Sequence, residues 1–203
     1  MSHQEDFSQA VGKQVEMIAS HGITATAGLY DLTSMRLVRF ATTITRNQHD
    51  AEDAVASALL KVVADIDVLF RARNPWAFLL QMVRNDALLI LRRKKRWTAA
   101  AQRIAECLSD LIQAPPKVDT IENQESMQEI WKAMRRLPTQ QAEVVVLKIW
   151  EDFTFHQIGQ TLGIPPATAA SRYRYGLEKL SQMLGSDLVA QSHQIDQEAS
   201  HGL

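Results

Sequence analysis

The chain has 203 residues, 46% hydrophobic and only 6% aromatic, with a net charge of -1. That suffices for one ordinary domain or two small helical ones, and a chain so near neutrality binds free DNA weakly. The single cysteine, Cys107, excludes an internal disulfide framework, and apolar runs no longer than "ALLIL" exclude a membrane-spanning helix, which needs roughly 20 apolar residues.

Eight glycines and six prolines leave long uninterrupted stretches in which apolar positions recur at steps of three and four, so an all-α fold is expected. Residues 1–26 read as a polar N-terminal extension. Its start, "MSHQEDF", has neither the basic n-region nor the apolar stretch of a secretory signal, which gives a cytoplasmic expectation. Residues 27–97 are densely periodic and predict a first helical domain. Residues 98–126, which contain "APPK", predict a flexible linker without fixed geometry. Periodicity returns over 127–184, a second helical domain, and the polar segment 185–203 predicts a disordered tail.

In the first domain Asp50, Glu52 and Asp53 form an acidic first turn that suits a helix dipole and a basic partner. The connection "IDVLFRARNPW" then supplies Phe70, Arg71, Arg73 and Asn74 between two apolar helices. Aromatic and guanidinium planes with a side-chain amide can hold an unstacked base, although Phe70 suits a core position closing the helix pair equally well. In the helix that follows, Trp76, Leu80, Val83, Ala87 and Ile90 or Leu91 can face a core, leaving Arg84, Asn85, Arg92, Lys95 and Arg96 outside. With Arg93 and Lys94 the run holds five consecutive cations in a near-neutral chain, so the charge is local and a phosphate backbone is its natural partner. A solvated helix end favoured by the dipole is the alternative.

In the second domain Met127, Ile130, Trp131, Met134 and Leu137 predict one amphipathic helix. Pro138 opens another, which ends before the acidic corner Glu151-Asp152. Thr154 with Gln157 three residues later is a capping-box pattern, and Ile158 and Leu162 share a face. Gly163 permits a left-handed turn, and Pro165-Pro166 can start the last helix. On it Ala169, Tyr173, Gly176, Leu180 and Leu184 share one side. Ala167, Ser171, Arg174, Tyr175 and Glu178 share the other, flanked by Thr168 and Arg172. This is helix-turn-helix spacing with a polar face that fits a major groove, and also the spacing of a plain packing corner.

The frame "LPTQQAEVVVLKIWEDFTFHQIGQTLGIPPATAASRYRYGLEKL" resembles region 4 of bacterial RNA polymerase sigma factors, specifically the extracytoplasmic-function group. That region reads Leu-Pro, an apolar helix, an acidic corner, "sxxEIAxxLG" and "xGTVxSRxxRA". "HDAEDAVASALLKVVADI" resembles region 2.2, and "PWAFLLQMVRNDALLILRRKKRW" resembles regions 2.3 and 2.4. The resemblance implies a factor that binds core RNA polymerase, opens the minus-ten region and grips the minus-thirty-five duplex. Asp50, Glu52, Asp53, Ser57 and Lys61 would meet the β′ clamp helices, and a contact with the β flap is implied as well. Phe70, Arg71, Arg73, Asn74, Arg84, Asn85 and the cations Arg92 to Arg96 would serve the minus-ten region. Thr168, Ser171, Arg172, Arg174 and Tyr175 would read the minus-thirty-five element. Promoter DNA is the implied ligand, and an anti-sigma factor is a partner the resemblance admits.

The chain departs from the family pattern at Ala56-Ser57 (usually Gln-Glu), Phe78 (Trp), Leu89 (Asp), Gln157 (Glu), Ala167-Thr168-Ala169 (Gly-Thr-Val) and Tyr175 (Arg), so promoter specificity does not transfer. An adaptor that binds polymerase or an inhibitor without initiating therefore stays in play, as does a stand-alone helix-turn-helix regulator. Enzymatic readings find no support. Cys107 lacks a catalytic constellation, His3, His21, His49, His156, His193 and His201 are scattered, and no glycine-rich phosphate loop exists, so neither metal nor cofactor is expected.

Overall fold

The computed structural model describes residues 3–107 and 125–184, and these are helical with no strand among them. Residues 108–124 and the tail 185–203, for which a linker and disorder are expected, lie outside the described residues.

The extension is not a loose polar segment. Most of it is helix α1 (His3–His21), on which Val11, Val15 and Ile18, spaced four and three, are buried. Gly22 at φ 72 turns the chain into a short 3-10 segment (Gly22–Ala25). Helix α2 (Thr26–Thr45) buries Leu29, Leu37, Phe40 and Ile44 and ends on Arg46 in the left-handed region, whose N–H reaches the Thr42 carbonyl. Asn47 caps α3 (Gln48–Ala64) by accepting from the Asp50 N–H at 3.0 Å. One turn, α4 (Asp67–Phe70), leads to α5 (Pro75–Cys107), whose 33 residues run about 50 Å. Helix α5 thus absorbs residues 98–107 of the expected linker, where "AAAQRIAEC" contains no glycine or proline to stop it. Helices α2, α3 and α5 pack together, with Trp76, Leu79, Leu80, Val83 and Ala87 as the α5 contribution to the core.

The second unit comprises α6 (Glu125–Arg136), α7 (Thr139–Ile149), α8 (Phe155–Leu162) and α9 (Pro166–Leu184). Trp131 and Trp150 stack at 5.3 Å, and α7 buries an unbroken run from Ala142 to Leu147. The capping box forms as expected: Thr154 Oγ1 accepts from the Gln157 N–H, and Gln157 Oε1 accepts from the Thr154 N–H. Gly163 at φ 68 makes the corner, and α9 crosses α7 at Gly176, where a Cβ would lie 2.8 Å from Val145 Cγ2.

The two units pack on one another, α2 against α7 and α5 against α8. No local pattern in the sequence says which of these helices meet. Glu151, with no side-chain exposure, accepts from Arg36 at 3.3 Å, Arg39 at 3.0 Å and the Trp76 indole at 3.1 Å. Glu143, also buried, accepts from Arg84 Nε at 2.7 Å, and Arg46 donates to the Leu137 carbonyl at 2.6 Å.

Candidate nucleic-acid interface

Helix α9 separates its faces as the spacing predicts. Ala169, Tyr173, Gly176, Leu177 and Leu180 are buried, whereas Ala167, Ser171, Arg174 and Tyr175 are exposed. Thr168 and Arg172 sit half-buried on the flanks. Arg174 lies 5.2 Å from the Tyr175 ring centroid, and Ser171 donates its hydroxyl back to the Ala167 carbonyl. The outer face therefore offers one guanidinium and one phenol, held by a buried face that fixes the helix on α7 and α8.

At the other unit Leu69 is buried and Phe70 is 45% exposed, so Phe70 does not close the core. Arg71 and Arg73, which follow it in the chain, are both exposed. Arg71 pairs loosely with Asp67 at 3.8 Å. Asn74 has a structural task that sequence reasoning missed: its Oδ1 accepts from the Ala77 N–H and caps α5. Arg84 is half-buried through its contact with Glu143, whereas Asn85, Arg92, Arg93 and Arg96 are exposed. Lys94 is engaged within the fold, since its amine reaches Asp50 Oδ2 at 2.6 Å, and Lys95 is exposed.

The charges expected at the polymerase divide in two. Asp50 is buried against Lys94, and the Lys61 amine pairs with buried Asp86, so these groups brace α3 against α5. Glu52 and Asp53 are exposed, next to Gln48 and His49 respectively, and Ser57 is half-buried. Beside them lies an apolar cleft of 380 Å³ lined by Tyr30, Ala56, Leu59, Leu60 and Val63, with Leu60 69% exposed. Adjacent leucines on one helix cannot both face one core, and that is the signal by which Leu60 was findable.

A second cleft, of 480 Å³, lies between the units. Arg73, Asn74, Phe78 and Gln81 line one wall; His156, Gln157 and Gln160 line the other. Burial pushes the carboxyls of Glu143 and Glu151 above the usual range, with Arg84 opposing the effect at the first and Arg36 and Arg39 at the second. No cluster of three metal-ligating side chains occurs among the described residues, nor any helix long and apolar enough to cross a membrane.

An all-helical fold with a helix-turn-helix, a cationic helix and a half-exposed aromatic followed by two arginines defines a DNA-binding protein of the transcription-factor class. Residues 29–97 match the family model "Sigma-70 region 2" and residues 127–180 match "Sigma-70, region 4". The ECF RNA polymerase sigma factor SigW of Bacillus subtilis is 22% identical over 183 residues, covering 86% of this chain and 96% of that protein. SigK, another ECF RNA polymerase sigma factor, from Mycobacterium sp. (strain KMS), is 26% identical over 178 residues, 84% of this chain and 89% of that one. Among solved structures, the sigma factor RpoE of Bartonella quintana, crystallised with the anti-sigma factor NepR, shares the fold. Its TM-score is 0.58 at 22% identity, covering 74% of this chain and 91% of that chain. The chain belongs to the sigma-70 family, in its extracytoplasmic-function group, and acts as a sigma factor in promoter-directed transcription initiation.

Proposed function

We propose how the work is divided among these residues. The exposed part of α3, Glu52, Asp53, Ser57 and Leu60, with Tyr30 of α2, docks on the β′ clamp helices. An acidic rim around an apolar centre steers and then anchors a basic partner helix. Phe70, with Arg71 and Arg73, receives an unstacked base of the minus-ten strand, and Asn74 holds the loop in place as the cap of α5. Asn85 and the exposed cations Arg92, Arg93, Lys95 and Arg96 follow the phosphates upstream. Arg84 and Lys94 are released to DNA only where Glu143 and Asp50 let go of them. Arg174 and Tyr175, with Ser171, Thr168 and Arg172 alongside, read the minus-thirty-five duplex, while the second unit meets the β flap. The chain works in the cytoplasm and carries out no catalysis of its own. An anti-sigma factor fits as a regulatory partner, since the RpoE structure was solved with one.

The observation that carries this reading is Phe70, a large aromatic left 45% exposed at the end of a four-residue helix and followed by the exposed Arg71 and Arg73. Stacking on an aromatic contributes about 1–3 kcal/mol per base. Replacing Phe70 with Ala should therefore reduce strand opening about 5- to 150-fold while leaving minus-thirty-five binding intact. Permanganate reactivity of minus-ten thymines in holoenzyme complexes reads this directly. Unchanged reactivity would return Phe70 to a role in folding.

A further inference from the structure

Helix α5 carries five apolar residues in a row, Ala87-Leu88-Leu89-Ile90-Leu91, and one helix cannot turn all five inward. Ala87 is buried, and Leu88, Ile90 and Leu91 pack against the core. Leu89 is left outside, 37% exposed and about 200° around the helix from Ala87. A lone surface leucine needs no explanation, but the neighbours of this one do. Asn85 lies one turn before it, Arg92 and Arg93 one turn after, and all three are exposed on the same side of α5. The nearest acid on the helix, Asp86, is buried and pairs with Lys61 of α3, so it does not offset these cations.

An apolar side chain set between an amide and two guanidinium groups suits a partner that is anionic at its edges and apolar at its centre. A hydrophobic groove of a protein does not fit, because it would strip water from the arginines without pairing them. A DNA major groove does. Phosphates line its walls, and the apolar group a base presents on its floor is the C5-methyl of thymine. Leu89 lies 14 residues past Pro75, about 21 Å along α5 from the loop that carries Phe70. It is therefore out of reach of a base unstacked at Phe70 and meets DNA that is still paired. Leu89 is also a position where the family pattern has Asp. A carboxylate accepts from the cytosine N4 amine, which leucine cannot do.

We propose that Leu89 reads the C5-methyl group of one pyrimidine in the duplex just upstream of the opened segment, thymine in ordinary DNA and 5-methylcytosine where a cytosine has been methylated. The proposal rests on the reading given above, in which α5 follows promoter DNA upstream of the minus-ten strand. It adds base selection to a helix otherwise occupied with phosphates, and it makes promoter recognition responsive to cytosine methylation at that base pair. Burying one methyl group corresponds to about a fourfold change in affinity.

The test measures holoenzyme binding to a promoter that responds to the protein, with thymine, uracil, cytosine or 5-methylcytosine placed in turn at each base of the duplex upstream of the permanganate-reactive segment. Uracil and thymine differ only in the methyl group, so the comparison with the parent protein needs no variant that has to fold. At one position thymine should bind about fourfold more tightly than uracil, and 5-methylcytosine about fourfold more tightly than cytosine. Leu89→Ala, which withdraws the side chain from the groove, should bring both ratios close to one while the salt slope and the far-ultraviolet dichroism stay as in the parent. No methyl-dependent position, or a methyl dependence that survives Leu89→Ala, overturns the proposal. A methyl dependence confined to permanganate-reactive bases belongs to the loop of Phe70 and overturns it as well. Arg93→Ala with Arg96→Ala, run in parallel, separates the two levels. Weaker binding by this variant without any methyl dependence in the parent overturns the role of Leu89 alone, whereas unchanged affinity and salt slope remove α5 from DNA and overturn the underlying reading with it.

Discussion

Arg174 offers the sharpest test of how this sigma factor reads DNA. It is exposed on the outer face of α9, and its guanidinium carbon lies 5.2 Å from the Tyr175 ring centroid. A bidentate contact to guanine is worth about 1–3 kcal/mol of discrimination. Leaving the aromatic face in the free protein costs about 0.5–1 kcal/mol at an exposed site. The net loss on Arg174→Ala should therefore fall at about 0.5–2 kcal/mol, roughly a two- to thirtyfold weaker complex. No buried contact is lost, so folding stability should move by less than about 0.5 kcal/mol. The assay is holoenzyme binding to promoters substituted base by base through the minus-thirty-five element, at several salt concentrations. Preference should flatten at one position while the others keep theirs. A uniform loss across the series would make Arg174 a phosphate clamp and refute the assignment.

Three further outcomes follow from the same geometry. Thr154→Ala removes the cap of α8 and should lower the stability of the second unit by about 1 kcal/mol, read as a fall in thermal midpoint of several degrees. Replacing Arg93 and Arg96 together with Ala should weaken holoenzyme binding to all promoters alike and reduce the salt slope by about two, measured by titration at graded salt. Asp53→Lys reverses an exposed charge beside the apolar cleft and should weaken core binding about fivefold or more with unchanged far-ultraviolet dichroism, while unaltered affinity in a core titration would remove α3 from that contact.

What could be read from sequence was whatever punctuation and period determine locally. The faces of α9 follow from steps of three and four between Gly163, Pro165-Pro166 and the last leucines, and Thr154 with Gln157 announced the cap. Phe70 was ambiguous because α4 has one turn, too short for a period to show which neighbour faces inward. Helix α1 hid because Val11, Val15 and Ile18 are its main buried apolar anchors in a polar segment. The pairings were beyond reach for another reason. Asp50 meets Lys94 across 44 residues and Arg36 meets Glu151 across 115, and no local rule links charges so far apart. Glu143 did carry a trace, a single charge beside the apolar run "VVV" of a buried helix, which signals a partner without naming it.

The central claim is that this chain makes core polymerase start at chosen promoters. Run-off transcription from a library of genomic fragments, by core polymerase with and without the protein, tests it most directly. The account predicts discrete transcripts that appear only with the protein and disappear when Phe70 is replaced by Ala. A protein that binds core polymerase yet yields no new transcript, or that binds palindromic DNA as a dimer without polymerase, would contradict it.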